Sequence, residues 1–228
     1  MSYIRSAIGR INKSIAESGY RWTLSLLLDR LGFPALRFWP EKACRLDLLD
    51  NQVSVILRAW GMDEEHIRIS TGHILYSDLH GIDSHGISML LSYHRQLRSG
   101  TIVINPRIQV VKESASTALI DGGGGLGHVP AETAMRLALA KCREYGLGAV
   151  AVRNSGHFGA AGSYASIAAD SGLIGAAMTS VRQPALVPPL GLSAMLGTNP
   201  LAFAAPAARN RPFLLDMATT VVPVGKIM

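Results

Sequence analysis

The apolar pattern of this chain changes its period at Gly100, and that change limits the possible folds more than any other feature. Before Gly100 the apolar residues recur at helical spacing. Residues 48–60 read as a helix. Asp63 stands where a second helix begins, with Glu64 and Glu65 in its first turn, where the helix dipole favours acids. Ile67, Thr71, Ile74 and Leu75 supply its inward stripe up to Gly81. Ser84 is placed to cap a third helix that runs to Gly100, a residue suited to the left-handed C′ position. After Gly100 short strands alternate with helices. Strands are expected at 107–111 and 117–121, joined as a hairpin, then a glycine run, and a helix over 130–145 with Pro130 in its first turn. A buried strand at 146–152, a small-residue helix at 159–170 and a second buried strand at 173–179 follow. A proline-rich loop over 183–197 leads to strands at 201–205 and 212–216. The order β-α-β-α-β with an antiparallel element predicts an α/β fold: a mixed sheet with flanking helices behind a helical N-terminal part.

Composition narrows the class. At 228 residues, 48% hydrophobic, the chain has enough apolar surface for a core. No run of about 18 apolar residues is free of charge, so no membrane span is expected. Cys44 and Cys142 form no metal spacing and no disulfide framework, which fits a reducing compartment and a cytoplasmic protein without a bound metal. The net charge of +6 is uneven: residues 1–42 carry +4 and the rest +2. A nearly neutral body argues against a nucleic-acid partner. These contrasts divide the chain into a basic extension (1–45), a helical domain (46–105) and an α/β domain (106–228). The extension is open to several readings: a packed or loosely attached appendage, an over-long translation start, a transit peptide or a membrane-surface helix.

Three segments could carry chemistry. Gly122, Gly124 and Gly127 satisfy G-x-G-x-x-G between a strand and a helix, the setting in which a Rossmann domain binds a pyrophosphate. The strand after that helix ends in Arg153 and Asn154 rather than an acid, which would suit the 2′-phosphate of NADP; a flexible turn is the competing reading. In Gly81-Ile82-Asp83-Ser84-His85-Gly86 the histidine falls at the start of the third predicted helix. Projected at about 100° per residue, His85, Met89 and Tyr93 share a face separate from Ile87, Leu90, Leu91 and Leu97. That face could meet a ligand or another chain, or His85 could simply cap the helix. In Asn154-Ser155-Gly156-His157-Phe158-Gly159 a histidine follows a strand, at the end of the sheet where α/β proteins bind ligands. An imidazole there can exchange a proton near neutral pH, as the oxidation of a carbinol requires, or it can bond the turn backbone. Asp216 closes the last strand, placed to accept ribose hydroxyls or to cap a helix.

Taken together, GIDSHG at 81–86, Tyr93, SGHFGA at 155–160, GTNPLAFAAP at 197–206 and DMATT with GK at 216–226 resemble the malate/lactate dehydrogenase-like (type 2) oxidoreductases. That family includes ureidoglycolate and sulfolactate dehydrogenases and cyclic-imine carboxylate reductases. The resemblance covers about residues 46–228. It implies a non-Rossmann dinucleotide-binding fold, NAD or NADP as cofactor, a 2-hydroxy or 2-keto acid substrate and a homodimer. It further implies that His157 is the acid/base residue, that His85 and Tyr93 line the substrate side, and that Ser180, Asp216, Met217 and Ala218 contact the cofactor. Met89 stands where many members carry an arginine, and 178–182 departs from the family's usual loop. Family chains usually continue further, so a truncated remnant acting only as a pairing module is the alternative, as is a cyclic-imine carboxylate reductase.

Overall fold

A computed structural model describes residues 44–181 and 184–220. The basic segment 1–43, positions 182–183 and residues 221–228, with Gly225 and Lys226, lie outside the described residues. The chain divides into two units, residues 1–52 and 53–228. Helices come first: α1 (Leu46–Ala59), α2 (Glu64–Leu79), two 3-10 turns (Asp83–His85 and Ile87–Met89) and α3 (Leu90–Arg98). Strands β1 (Gln109–Glu113) and β2 (Thr117–Asp121), helix α4 (His128–Tyr145), strand β3 (Ala149–Arg153) and helix α5 (Ala161–Asp170) follow. Strands β4 (Gly175–Met178), β5 (Pro200–Ala205) and β6 (Phe213–Ala218) complete the order. Among the described residues no helix is long and apolar enough to cross a membrane.

Helix α2 is enclosed on most sides. Its buried set, Ile67, Ile69, Ser70, Thr71, His73, Ile74, Leu75 and Ser77, is wider than the expected stripe because α4, α5 and the 3-10 turns all pack on it. Asp63 occupies the N-cap position, but its side chain makes no capping bond. Its backbone N–H donates to Asn105 Oδ1 at 2.9 Å, and the Asn105 amide donates to Gly61 O at 2.8 Å. The third helix differs more. Instead of one helix from Ser84, the chain makes two 3-10 turns and only then α3, because Gly86 (φ −93°, ψ −141°) leaves the helical region between them. Ser84 caps nothing, and the face projected through His85, Met89 and Tyr93 is not a face of one α-helix. Gly100, with φ +70°, follows the C-cap Ser99 as expected.

The strands form two sheets rather than one. β1 and β2 pair as an antiparallel hairpin with a register shift between Val110 and Lys112, and β3 joins β2 in parallel through the crossover helix α4. β4, β5 and β6 form a separate antiparallel sheet. The long loop after β4 returns the chain antiparallel, so β4 takes β5 as its partner and not β3. β3 and β4 are therefore edge strands, half-exposed where the apolar runs predict burial. β6 runs on through Ala218, so Asp216 lies inside a strand and not at a helix start.

Helix α5 packs on the second sheet through alanines. Ala161, Ala165 and Ala169 meet Ala202 and Ala204, with Phe158, Ala177 and Leu214 at the margin. Small side chains on both faces bring the helix close to the sheet, which accounts for the alanine-rich, aromatic-poor composition of this region. Ala165→Leu should overfill that interface and destabilise the protein by about 1–3 kcal/mol, read as a lowered midpoint in chemical denaturation.

Candidate functional site

The glycine run and the His157 loop are laced together by main chain. Gly122 N–H donates to Arg153 O (2.9 Å), Gly124 N–H to Asn154 O (2.8 Å), Gly156 N–H to Gly125 O (2.8 Å) and Gly127 N–H to His157 O (2.8 Å). This ladder continues the β2–β3 pairing beyond the strand ends. It needs glycine: a Cβ on Gly127 would lie 2.6 Å from Gly156 O and from Phe158 Cβ. The N–H groups of Gly122, Gly124 and Gly127 thus meet carbonyls, and that of Gly123 meets Asp121 Oδ1 at 3.0 Å. Arg153 donates to Asp121 Oδ2 at 3.0 Å, and the first turn of α4, His128 to Pro130, is buried.

The ladder presents His157, half-buried, toward the two 3-10 turns. Tyr93, fully buried on α3, places its hydroxyl 2.7 Å from His157 Nδ1, and Gly159 N–H points at the same nitrogen at 3.3 Å. With the proton on Nε2, Nδ1 accepts from both; with the proton on Nδ1, it donates to the Tyr93 oxygen and leaves Nε2 a lone pair. The Tyr93 hydroxyl both donates and accepts, so Nδ1 keeps a partner in either tautomer. Burial pushes the Tyr93 phenol above its usual range and keeps it protonated. The His85 ring lies 5.2 Å from that of His157, centroid to centroid, and Ser84 Oγ lies 2.9 Å from its Nδ1. Desolvation, then repulsion from His85, lowers His157 to about 4. Desolvation also lowers His85, against the pull of Asp216 and Asp83. Two neutral imidazoles therefore face each other at neutral pH.

Behind Tyr93 lies a second set of rings that sequence reasoning missed. His128, the first residue of α4, is fully buried with neither ring nitrogen hydrogen-bonded. Its ring is edge-on to Tyr93 (5.7 Å) and stacked on His73 (6.2 Å). Burial, with His73 and His157 nearby, drives it well below the ordinary histidine range. His73 Nε2 meets Glu132 Oε2 at 2.9 Å and its Nδ1 meets Ser163 Oγ at 2.8 Å, while Arg136 holds the other Glu132 oxygen. The His73 bond, above all, lowers Glu132 to about 2. The spacing of Glu132 and Arg136, i and i+4 on one helix, was the available signal. Nothing in the pattern marked His73 or His128.

The residues expected to contact a cofactor are placed differently from one another. Asp216, half-buried on β6, accepts Gly162 N–H at 2.7 Å through Oδ2 and acts on His85 through its charge. Met217 and Ala218 follow it along β6, with Met217 46% exposed. Ser180 is exposed just past β4. Met89 ends the second 3-10 turn, half-buried. Among the described residues no three His, Cys, Asp or Glu side chains are grouped to hold a metal ion.

Comparison with known proteins places the chain in a family. The family model for malate/L-lactate dehydrogenase matches residues 45–228. The chain belongs to the malate/L-lactate dehydrogenase family. It is 47% identical over 181 residues to malate dehydrogenase of Pyrococcus abyssi, covering 79% of this chain and 49% of that protein. It is 42% identical over 173 residues to L-sulfolactate dehydrogenase of Methanocaldococcus jannaschii, 76% of this chain and 50% of that one. The solved malate dehydrogenase of Pyrococcus horikoshii OT3 superposes with a TM-score of 0.76 at 43% identity, over 80% of this chain and 52% of that one. The chain spans about half the length of these relatives.

The buried imidazoles make stability depend on acid. A histidine whose folded pKa is depressed stabilises the protein above the unfolded value of 6.5, and this is lost as pH falls through the folded value. For His157 the window runs from 6.5 down to about 4. Across it this residue withdraws about 3 kcal/mol. Denaturant midpoints measured at successive pH values should fall across that window, and His157→Gln should flatten part of the slope.

Proposed function

We propose that this chain is an NAD(P)-dependent oxidoreductase that moves a hydride between a nicotinamide cofactor and the C2 carbon of a 2-hydroxy acid. His157 acts as acid/base, and His85 faces it across the substrate. The observation that carries this reading is the Tyr93–His157 bond at 2.7 Å with a second neutral imidazole 5.2 Å away. A hydride cannot leave a carbinol carbon unless the hydroxyl proton leaves too. That step asks for a neutral base with a directed lone pair, held in place from behind.

The side chains present fit a dinucleotide. Asp216 has one carboxylate oxygen without a hydrogen bond among the described residues, Ser180 offers an exposed hydroxyl, and Met217 an exposed apolar surface. Asp216 suits ribose hydroxyls and Met217 a flat ring. When bound, the cofactor supplies the acceptor or donor of the hydride. In oxidation the proton passes from the substrate hydroxyl to His157 Nε2, while the Nδ1 hydrogen is held by the Tyr93 oxygen. The resulting imidazolium is unfavourable beside His85, so it gives its proton up readily. In reduction the same Nε2–H donates to the carbonyl oxygen. His85, its Nδ1 turned to Ser84, is left to meet the substrate through Nε2.

On this reading the glycine run seats His157 and binds no phosphate, so the cofactor site is of the non-Rossmann kind. Malate or a related hydroxy acid, as in the names of the relatives, is the first substrate class to test. A homodimer, a cytoplasmic location and no nucleic-acid partner belong to the same reading.

His157→Ala should lower hydride transfer by a factor of about 10²–10⁴ while circular dichroism stays unchanged; full turnover would refute the assignment. With the unaltered protein, the acid limb of kcat/KM for oxidation should turn near pH 4, not 6.5, because His157 is lowered to about 4. Arg153→Ala should leave NADP affinity unchanged in calorimetry, since Arg153 is paired with Asp121. A tenfold loss would restore the Rossmann reading.

A further inference from the structure

We infer that Asp78 is a positioning residue for His85, holding the paired 3-10 turns that carry this histidine from the neighbouring helix α2. The inference rests on the reading in which His85 faces the substrate. Asp78 lies in the last turn of α2, and its Oδ2 accepts Ile87 N–H at 2.8 Å. That N–H opens the second 3-10 turn, and a helical start leaves such donors without a partner from its own turn. Neither 3-10 turn has a side-chain cap from its own N-cap residue, so the bond to Asp78 anchors the second turn from outside. Burial raises the Asp78 carboxyl, while the Ile87 N–H draws it back down.

Gly86 is the other half of the device. It separates the two turns, and a Cβ built on it would overlap the Asp78 carboxylate. The absent side chain lets the carboxylate lie against the backbone one residue after His85. Other bonds close the remainder of the segment. Ile82 N–H donates to Ser77 O at 2.8 Å, His85 N–H to Ile82 O at 2.9 Å and Ser84 N–H to Asp83 Oδ1 at 3.0 Å. The first of these and the Asp78 bond tie the two sides of His85 to the same end of α2. The imidazole is thereby set facing His157. Asp78 touches neither imidazole and acts only through the backbone.

The test uses the full chain with labelled histidines. Asp78→Ala should raise hydrogen exchange at the Ile87 amide by about tenfold or more. It should also abolish the nuclear Overhauser contact between the His85 and His157 rings while leaving that between Tyr93 and His157. KM should rise about tenfold, with a smaller change in kcat. Asp78→Asn keeps an acceptor oxygen of the same shape and should restore all three readouts to within about twofold. If Asp78→Ala does not fold, Gly86→Ala tests the same contact from the other side and should displace His85 in the same way. An unchanged Ile87 amide and an intact His85–His157 contact in the folded variant would overturn the inference. Failure of the proposed function would look different: no turnover in the unaltered chain, with the His85 displacement still present in Asp78→Ala.

Discussion

The site depends on the main-chain ladder between residues 122–127 and 153–157. Parallel pairing of β2 with β3 ends at Asp121 and Arg153, yet the hydrogen bonding runs on through the glycines to His157 O. A loop that would otherwise be free is held like a strand. The positive φ of Gly123 and Gly124 lets the chain fold over on itself, and the closeness of Gly127 to Gly156 leaves no room for a side chain. His157 is thus fixed at its backbone before any side-chain contact is made. Tyr93 then settles which ring nitrogen faces outward.

The second constraint is electrostatic. Four histidines, His73, His85, His128 and His157, lie along a line of rings through the helical layer. Burial disfavours charge on three of them; neighbouring imidazoles add to this at His128 and His157, while Asp216 and Asp83 pull against it at His85. The carboxylate of the cluster, Glu132, is held by His73 and Arg136 on the side away from His157. No acidic side chain hydrogen-bonds His157 among the described residues; its partner is a neutral phenol. An imidazole partnered by a phenol has no carboxylate to raise it, so burial, then repulsion from His85, sets the direction in which His157 moves.

The periodicity and its break at Gly100 made much of the fold legible. The first two helices, those over 128–145 and 161–170, the span of β2 at 117–121 and the left-handed Gly100 follow from local chemistry. The third helix failed because Gly86 reads as an ordinary turn glycine in a helical context, and only the Asp78 carboxylate from another element shows why it breaks there. The two-sheet arrangement was not legible, since strand partners depend on where the loop after β4 returns the chain. Within the site, His85 and His157 stood out through their glycine-flanked turns. The glycine run was legible as a motif, but its backbone partners in the 153–157 segment were not, because the pattern carries no sign of which neighbour the amides meet. His128 and His73 carry no local signature, because a polar residue on an enclosed helix looks like any surface residue until the third and fourth neighbours are known.

The bond from Tyr93 to His157 spans 64 residues, and that from Gly162 to Asp216 spans 54. Contacts of such separation form only after the intervening chain has closed. During synthesis Tyr93 emerges 64 residues before its histidine. Both bonds of the candidate site thus carry a loop-closure cost that the short-range turns do not. A nascent chain that has reached only Arg98 holds Tyr93 but neither His157 nor Asp216, so the site's two halves meet late in synthesis.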